Sequence, residues 1–192
     1  MITSVRNLFA LGCLLLATHL GATEIAKVNL PDQVKPDGID QVLQLNGVGI
    51  RYKFIFKIYI GALYLPEKQN SAEEIVASSQ PKRILMHFLY DRVTKQDLDK
   101  AWREGFAANH DEQTLHQLED RIQRFSALFS DLVEGDEVWL DNIPGMGTRV
   151  SVNGELRGTI PGDDFYPALL RIWIGSEPVT TALKRSMLGQ EQ

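Results

Sequence analysis

The chain has 192 residues, of which 44% are hydrophobic and 23% charged, so it is long enough to form one domain with a substantial apolar core. Its formal net charge at pH 7 is −5, which makes it a poor candidate for binding nucleic acid or anionic lipid surfaces. The single cysteine, Cys13, excludes an intramolecular disulfide framework.

The first residues have the pattern of a secretory signal peptide. Arg6 precedes an unbroken apolar run over residues 8–17, and the small residues Gly21 and Ala22 follow. The run is shorter than the roughly 20 residues that a membrane-spanning helix needs. We therefore predict a signal peptide over residues 1–22 and an exported, periplasmic domain over residues 23–192, with no stable membrane insertion.

Cys13 lies inside the predicted signal peptide, so the mature domain would contain no thiol although its compartment is oxidising. An alternative is lipoprotein acylation of Cys13, because residues 10–13 loosely resemble a lipobox. The early position of the cysteine, in the middle of the apolar run, favours a cleaved signal peptide. Loss of Arg6 with the signal would change the formal net charge from −5 to −6.

The first part of the domain has the patterns of β-strands. Residues 24–38 are polar and predict an irregular start with one short strand. Residues 42–45 predict a strand that enters a tight turn at the Asn-Gly pair of residues 46–47. Over residues 50–65 every even position is apolar or aromatic, which predicts one long central strand of an antiparallel sheet with helices on one face.

The remaining residues alternate between helical and strand patterns. The predicted helices are residues 71–78, 94–109, 112–134, 165–174 and 178–188, and the predicted strands are residues 82–90, 137–143 and a hairpin around residues 153–154. Asp163 is the predicted N-cap of the fourth helix, and Pro178 is placed in the first turn of the last helix. This order of elements predicts an α+β domain.

Two separated segments resemble the chalcone isomerase-like family. Residues 45–51 (LNGVGIR) lead into residues 57–65 (KIYIGALYL), and residues 172–178 (IWIGSEP), followed by Leu183 and Lys184, resemble that family's C-terminal signature. The resemblance covers nearly all of the predicted domain. It implies an open-faced β-sandwich, in which a large antiparallel sheet carries a layer of helices and has a smaller sheet behind it.

The resemblance places Arg51 at the family's functional arginine. Enzymes of this family use that arginine to steady an oxyanion during flavanone ring closure, and non-catalytic relatives use it to hold a fatty acid carboxylate. A guanidinium suits both roles because its donors can meet two oxygens at once. The residues alone leave another reading open, in which an internal Asp or Glu neutralises Arg51, since a buried charge needs a partner.

The resemblance also implies that the isomerase's other polar groups are missing. A threonine on the long strand, a tyrosine and an asparagine on the next helix, and a hydroxyl residue in the penultimate helix align with Ile58, Leu98, Gly105 and Ile172. These residues lack the donors that acid–base and oxyanion chemistry need. We therefore assign no catalytic residue and do not expect the chain to cyclise chalcones at a useful rate.

The same substitutions predict an apolar cleft that keeps one cation, which suits an amphiphile. We expect Arg51 to hold the acid head group of the ligand. The side chains expected along its apolar part are Ile58, Leu98 and Ile172.

Three further residues share the alternation of Arg51. Tyr59 either contributes a hydroxyl group to the ligand or packs against a helix. Lys53 and Lys57 either add positive potential to the cleft or are solvated charges at a sheet edge. The sequence does not decide between these readings.

We expect no metal site and no cofactor. His87 and Met86 lie on one predicted strand but point to opposite faces, and His110 and His116 are interpreted as surface residues. The three tryptophans occupy apolar positions and are predicted core residues: Trp102, Trp139 and Trp173.

The leading hypothesis is a monomeric binding protein for a fatty acid or similar small apolar carboxylate. One alternative is an isomerase or lyase that acts on an unknown substrate through Arg51 and tyrosines. Another is an interaction module whose cleft receives a protein segment.

Overall fold

The computed structural model describes residues 21–190. The predicted signal peptide, including Cys13, lies outside this range except for its last two residues, and Ala22 is the first residue of a strand. Within the described range, no helix has both the length and the apolar character needed to cross a bilayer.

Residues 21–190 form eleven strands and five helices. The strands are β1 (Ala22–Ile25), β2 (Val28–Pro31), β3 (Gln33–Val34), β4 (Leu43–Lys53), β5 (Phe56–Leu65), β6 (Lys82–Phe88), β7 (Arg92–Val93), β8 (Leu132–Val133), β9 (Glu137–Ile143), β10 (Gly147–Val152) and β11 (Glu155–Pro161). The helices are α1 (Ala72–Ala77), α2 (Lys95–Asn109), α3 (Glu112–Ser126), α4 (Phe165–Ile174) and α5 (Thr181–Met187).

Seven strands form the main sheet, in the spatial order β11-β10-β9-β6-β5-β4-β3, and every neighbouring pair is antiparallel. Two small sheets pair β1 with β2 and β7 with β8. Because helices pack on this sheet, the prediction of an α+β domain built on a large antiparallel sheet is confirmed.

The alternation of β6 shows how the sheet separates two apolar clusters. Ile84, Met86 and Phe88 belong to the larger cluster, which they share with residues of α2, α3, α4 and α5. Leu85 belongs to a second cluster, where it packs with Leu30 of the β1–β2 hairpin. The helices therefore cover one face of the sheet, and the small β1–β2 sheet covers part of the other.

Helix α4 is buried over most of its surface. We expected an amphipathic helix, but eight of its ten residues are buried. It packs against α1, α2 and α5 as well as against the sheet, so it has no continuous polar face. The helix is a central element of the larger apolar cluster.

The prediction of one long strand over residues 50–65 is wrong, because this segment is a β-hairpin. β4 ends at Lys53 and β5 begins at Phe56, with Phe54 in a left-handed conformation at φ +57°. A register shift beside Arg51 then places Arg51 directly opposite Tyr59. The turn was missed because Phe54 and Ile55 replace the glycine or asparagine that usually occupies a two-residue hairpin turn.

The prediction of a tight turn at Asn46 and Gly47 is also wrong. Both residues lie inside β4, where the register shifts by one residue. The Asn46 side chain donates to the Met187 carbonyl at 2.8 Å and accepts from the Gln69 backbone N–H at 2.7 Å. This Asn-Gly pair therefore docks the C-terminal helix on the sheet.

Gly47 is required by the close approach of α5. A Cβ at this position would lie 2.1 Å from the Ser186 carbonyl oxygen. We expect Gly47→Ala to lower the free energy of unfolding by about 1–3 kcal/mol, because the backbones must separate. Gly61→Ala is the matched control, since its Cβ would make ordinary contact with Leu183 at 3.4 Å. Urea titration of both variants tests this, and equal losses would contradict it.

The third predicted helix ends earlier than its apolar spacing suggested. α3 ends at Ser126, and the chain then turns into β8. Phe129 and Leu132 are nevertheless buried, which explains why the helical spacing seemed to continue. Asp131, in the connecting segment, accepts a hydrogen bond from the Lys95 backbone N–H at 2.8 Å and so holds the start of α2.

The starts of the last two helices differ from their predictions. Asp163 does not cap α4, because its side chain accepts from the Gly145 N–H at 3.0 Å. The last helix starts at Thr181 with Thr180 as its N-cap, so Pro178 lies before the helix and not in its first turn. The predicted hairpin turn after β10 is confirmed, with φ +53° at its asparagine and +79° at its glycine.

Candidate functional site

A cavity of about 550 Å³ lies between the β4–β5 hairpin, the end of β6, and helices α2 and α4. This volume falls in the range of pockets that hold small molecules. The six residues that the sequence proposed for the site all line this cavity: Arg51, Lys53, Tyr59, Ile58, Leu98 and Ile172. The fold therefore brings together side chains from two strands and two helices that are far apart in the sequence.

Further apolar side chains in the lining were not proposed from the sequence, and three of them are large and buried. Met86 and Phe88 come from β6, and Trp102 comes from α2. A signal for each was present, because Phe88 is directly opposite Tyr59 in the sheet and Trp102 lies one helical turn after Leu98. The sequence showed that these residues were buried but not that they face a cavity.

Arg51 is the half-buried cation of this cavity. Its guanidinium carbon lies 5.7 Å from the centre of the Tyr59 ring, and its Nε atom is buried without a hydrogen-bond partner. Among residues 21–190, no carboxylate forms a salt bridge with Arg51. The reading in which an internal Asp or Glu neutralises Arg51 is therefore wrong.

Arg83 shows how the same sheet treats an arginine with a structural role. Its Nε and Nη2 atoms donate to the two carboxylate oxygens of Asp141, at 2.6 and 2.9 Å. Arg149 donates to the same carboxylate at 3.1 Å. A buried arginine normally has such a partner, so Arg51 has the surroundings of a residue that binds something from outside the chain.

Tyr59 lies beside Arg51 and packs against helix α4, as one of the two readings of the sequence expected. Its ring is buried, and its hydroxyl accepts a hydrogen bond from Nε1 of Trp173 in α4 at 3.0 Å. Burial raises the pKa of Tyr59, although the charge of Arg51 and the Trp173 hydrogen bond act in the opposite direction. The phenol therefore stays protonated at physiological pH, and its own O–H is able to donate to a ligand.

The two lysines of the hairpin have different positions. Lys53 is exposed and lines the mouth of the cavity, where it adds positive charge. Lys57 is also exposed but does not line the cavity. Of the two readings of the sequence, Lys53 fits the first and Lys57 fits the solvated charge.

The positions that lack the isomerase's polar groups are held by tight packing. Ile58, Leu98 and Ile172 are buried apolar side chains in the cavity wall. A Cβ on Gly105 would lie 2.9 Å from the Ile172 side chain, so a larger residue in α2 would push α4 away. None of these four positions therefore offers a hydrogen-bond donor from a side chain.

The remaining histidines and tryptophans have local partners or lie at the surface. His87 pairs with Glu137 at 3.1 Å, Nε2 of His110 lies 3.1 Å from the Ala168 carbonyl, and His116 is exposed. No group of three or more potential metal ligands is present in the described part of the chain. The core prediction is confirmed for Trp102 and Trp173, whereas Trp139 is half-buried and lies 4.6 Å from the Arg83 guanidinium.

Comparison with known proteins identifies the family. The model of the chalcone isomerase-like family matches residues 22–189. The crystal structure of an Arabidopsis thaliana fatty-acid binding protein superimposes with a TM-score of 0.65 at 17% sequence identity, covering 88% of this chain and 96% of that one. No curated protein matches the sequence of this chain. The fold and the family match agree with each other, and the chain belongs to the chalcone isomerase-like family.

Proposed function

We propose that this protein is an exported, non-catalytic binding protein for a fatty acid or a similar small apolar carboxylate. The observation that carries the proposal is the half-buried Arg51, whose Nε has no partner and whose guanidinium faces a cavity. A carboxylate can accept two charge-assisted hydrogen bonds from such a group. The carboxylate head group of the ligand would thereby become the anionic partner of Arg51, since no residue of the described chain forms a salt bridge with it.

The tail of the ligand would lie along the apolar wall of the cavity. Ile58, Leu98 and Ile172 contribute aliphatic surface, and Met86 and Phe88 extend it. Burial of acyl carbon against such a surface contributes roughly 0.8 kcal/mol for each methylene group. The half-buried Arg51 beside this apolar wall, with the other charged side chains of the lining exposed, favours an amphiphilic acid over a sugar or a nucleotide.

The family match supports this reading in outline. The structural neighbour from Arabidopsis thaliana is a fatty-acid binding protein of similar fold. At 17% identity this likeness concerns the fold, so the assignment of a carboxylate ligand here depends on Arg51 and its surroundings.

The enzyme alternative receives no support from the positions where the family's isomerases carry polar groups. Ile58, Leu98 and Ile172 have no proton to transfer, and the raised pKa of Tyr59 makes this residue a poor general base at neutral pH. The geometry supplies a cation and one phenol O–H, which is enough to bind a carboxylate. We therefore keep the binding function as our proposal.

Export is supported by the sequence pattern of residues 1–22. We infer that the mature protein is a periplasmic monomer that starts near Thr23. Cleavage after Ala22 would leave 170 of the 192 residues.

Native mass spectrometry of the protein from a periplasmic extract tests these points together. We expect the mass of the 170-residue chain as a monomer, with one small carboxylic acid released on unfolding and identified after organic extraction. Protein from the same cells, stripped of ligand and reloaded with a fatty acid, serves as the positive control. A cavity that stays empty after reloading, or a bound peptide in place of an acid, would contradict the proposal.

A further inference from the structure

The end of the β4–β5 hairpin exposes a group of large apolar side chains. We call residues 52–57 the hairpin tip. Phe54 is 89% exposed, Ile55 is 84% exposed and Phe56 is 50% exposed. Large apolar side chains that stand together in water usually mark a contact surface.

The hairpin tip is also basic. It contains Lys53 and Lys57, and neither residue forms a salt bridge with another residue of the described range. No Asp or Glu occurs between residues 41 and 66. The net charge of −5 for the whole chain therefore hides a local region of the opposite sign.

The backbone of the hairpin tip is strained in a way that keeps an aromatic residue at its end. Phe54 has φ +57°, a left-handed conformation that glycine or asparagine adopts more easily. Left-handed conformations of non-glycine residues are enriched at functional sites. Stability alone does not account for an aromatic ring at this position.

The hairpin tip forms the rim of the cavity. Lys53, Phe54 and Phe56 line its mouth together with Tyr90, whose ring centre lies 5.7 Å from that of Phe56. Whatever contacts the tip therefore also faces the opening beside Arg51.

We propose that the hairpin tip docks on a lipid bilayer that contains anionic head groups. Phe54 and Ile55 would enter the boundary between head groups and acyl chains, while Lys53 and Lys57 would lie among the head groups. Such a contact places the mouth of the cavity against the bilayer, where amphiphilic acids reside. Exchange of a fatty acid between the bilayer and the cavity would depend on the proposed function, whereas docking of the hairpin tip would not.

The size of the tip favours a bilayer over a protein partner. A stable protein interface usually buries about 800 Å² on each partner. Side chains such as Phe bury about 150–250 Å² each, and Phe56 is already half covered, so Phe54, Ile55 and Phe56 together fall short of that area. A bilayer does not require a complementary protein surface, and it can bind a small group of apolar side chains that is flanked by basic residues.

Sedimentation with vesicles tests the docking in the absence of any fatty acid. We expect the purified protein to bind vesicles of phosphatidylcholine mixed with phosphatidylglycerol, and to bind less as the salt concentration rises. Ile55→Asp should lower the vesicle partition coefficient by about tenfold or more, because it removes apolar surface and adds a negative charge. Ile55 does not line the cavity, so affinity for a soluble short-chain acid should be unchanged.

Two further variants make the result specific. Leu156→Asp is the matched control, since Leu156 is 62% exposed on β11 at the opposite edge of the main sheet, and it should bind vesicles as the original protein does. Lys57→Glu should weaken binding to the mixed vesicles more than to phosphatidylcholine alone. The proposal is overturned if Ile55→Asp and Leu156→Asp behave alike, or if light scattering shows that Ile55→Asp abolishes self-association instead of vesicle binding.

Discussion

Arg51→Ala is expected to lower the affinity for a fatty acid by about tenfold to 150-fold, which corresponds to about 1.5–3 kcal/mol. The substitution removes the charged donors that would meet the carboxylate. The effect on stability should be small or favourable, because Arg51 is half-buried, has an orphaned Nε and forms no salt bridge within residues 21–190. A loss of affinity without a loss of stability would show that Arg51 serves ligand binding and not the stability of the fold.

Isothermal titration of the purified variants with one fatty acid measures this effect. Arg92→Ala is a suitable control, since Arg92 also lines the cavity mouth but is paired with Asp131. The methyl ester of the same acid provides a second control, because its affinity should depend little on Arg51. An unchanged affinity of Arg51→Ala for the free acid would place the head group elsewhere.

Asp141→Ala is expected to lower the free energy of unfolding by about 3–5 kcal/mol. Asp141 is 1% exposed and accepts hydrogen bonds from both Arg83 and Arg149. Its removal leaves two cations in the sheet without their partner, and the cost of burying an unpaired charge is larger than the value of the pair itself. This cluster holds together β6, β9 and β10.

Urea unfolding followed by circular dichroism measures the loss. Asp164→Ala is the control, because Asp164 is exposed and pairs with Arg121 near the surface, where a salt bridge contributes about 1 kcal/mol or less. Similar losses in the two variants would show that burial of the Asp141 cluster does not set its contribution. A stable Asp141→Ala variant would mean that water reaches the two arginines.

The apolar alternation of the sequence was sufficient to predict the sheet and its two faces. It was not sufficient to predict where the chain reverses at the hairpin tip, because Phe54 and Ile55 carry no turn signal and continue the pattern of their neighbours. The same limit affected α3, where Phe129 and Leu132 continue a helical spacing although they are buried from a loop and a strand. For α3 burial was predicted correctly and the path of the backbone was not. At the hairpin tip both failed, because the alternation predicted a buried face and Phe54 is 89% exposed.

The candidate site shows a similar division. The alternation of odd and even positions predicted that Arg51 and Tyr59 lie on one face of a single strand. In the structure they are side by side but on two strands, and the register shift next to Arg51 is what brings them together. Leu98 and Ile172 came from the family resemblance and not from any spacing. That Arg51 has no acidic partner depends on long-range packing, which no local pattern in the sequence contains.

The hydrogen bond between Trp173 and Tyr59 connects the cavity wall to the centre of α4. Trp102 lines the same cavity, its ring centre lies 6.0 Å from that of Trp173, and its own N–H has no acceptor within the described residues. Indole emission responds to local polarity and to hydrogen bonding. The two rings thus give the protein a built-in optical signal for whatever enters or leaves the cavity, without any attached label.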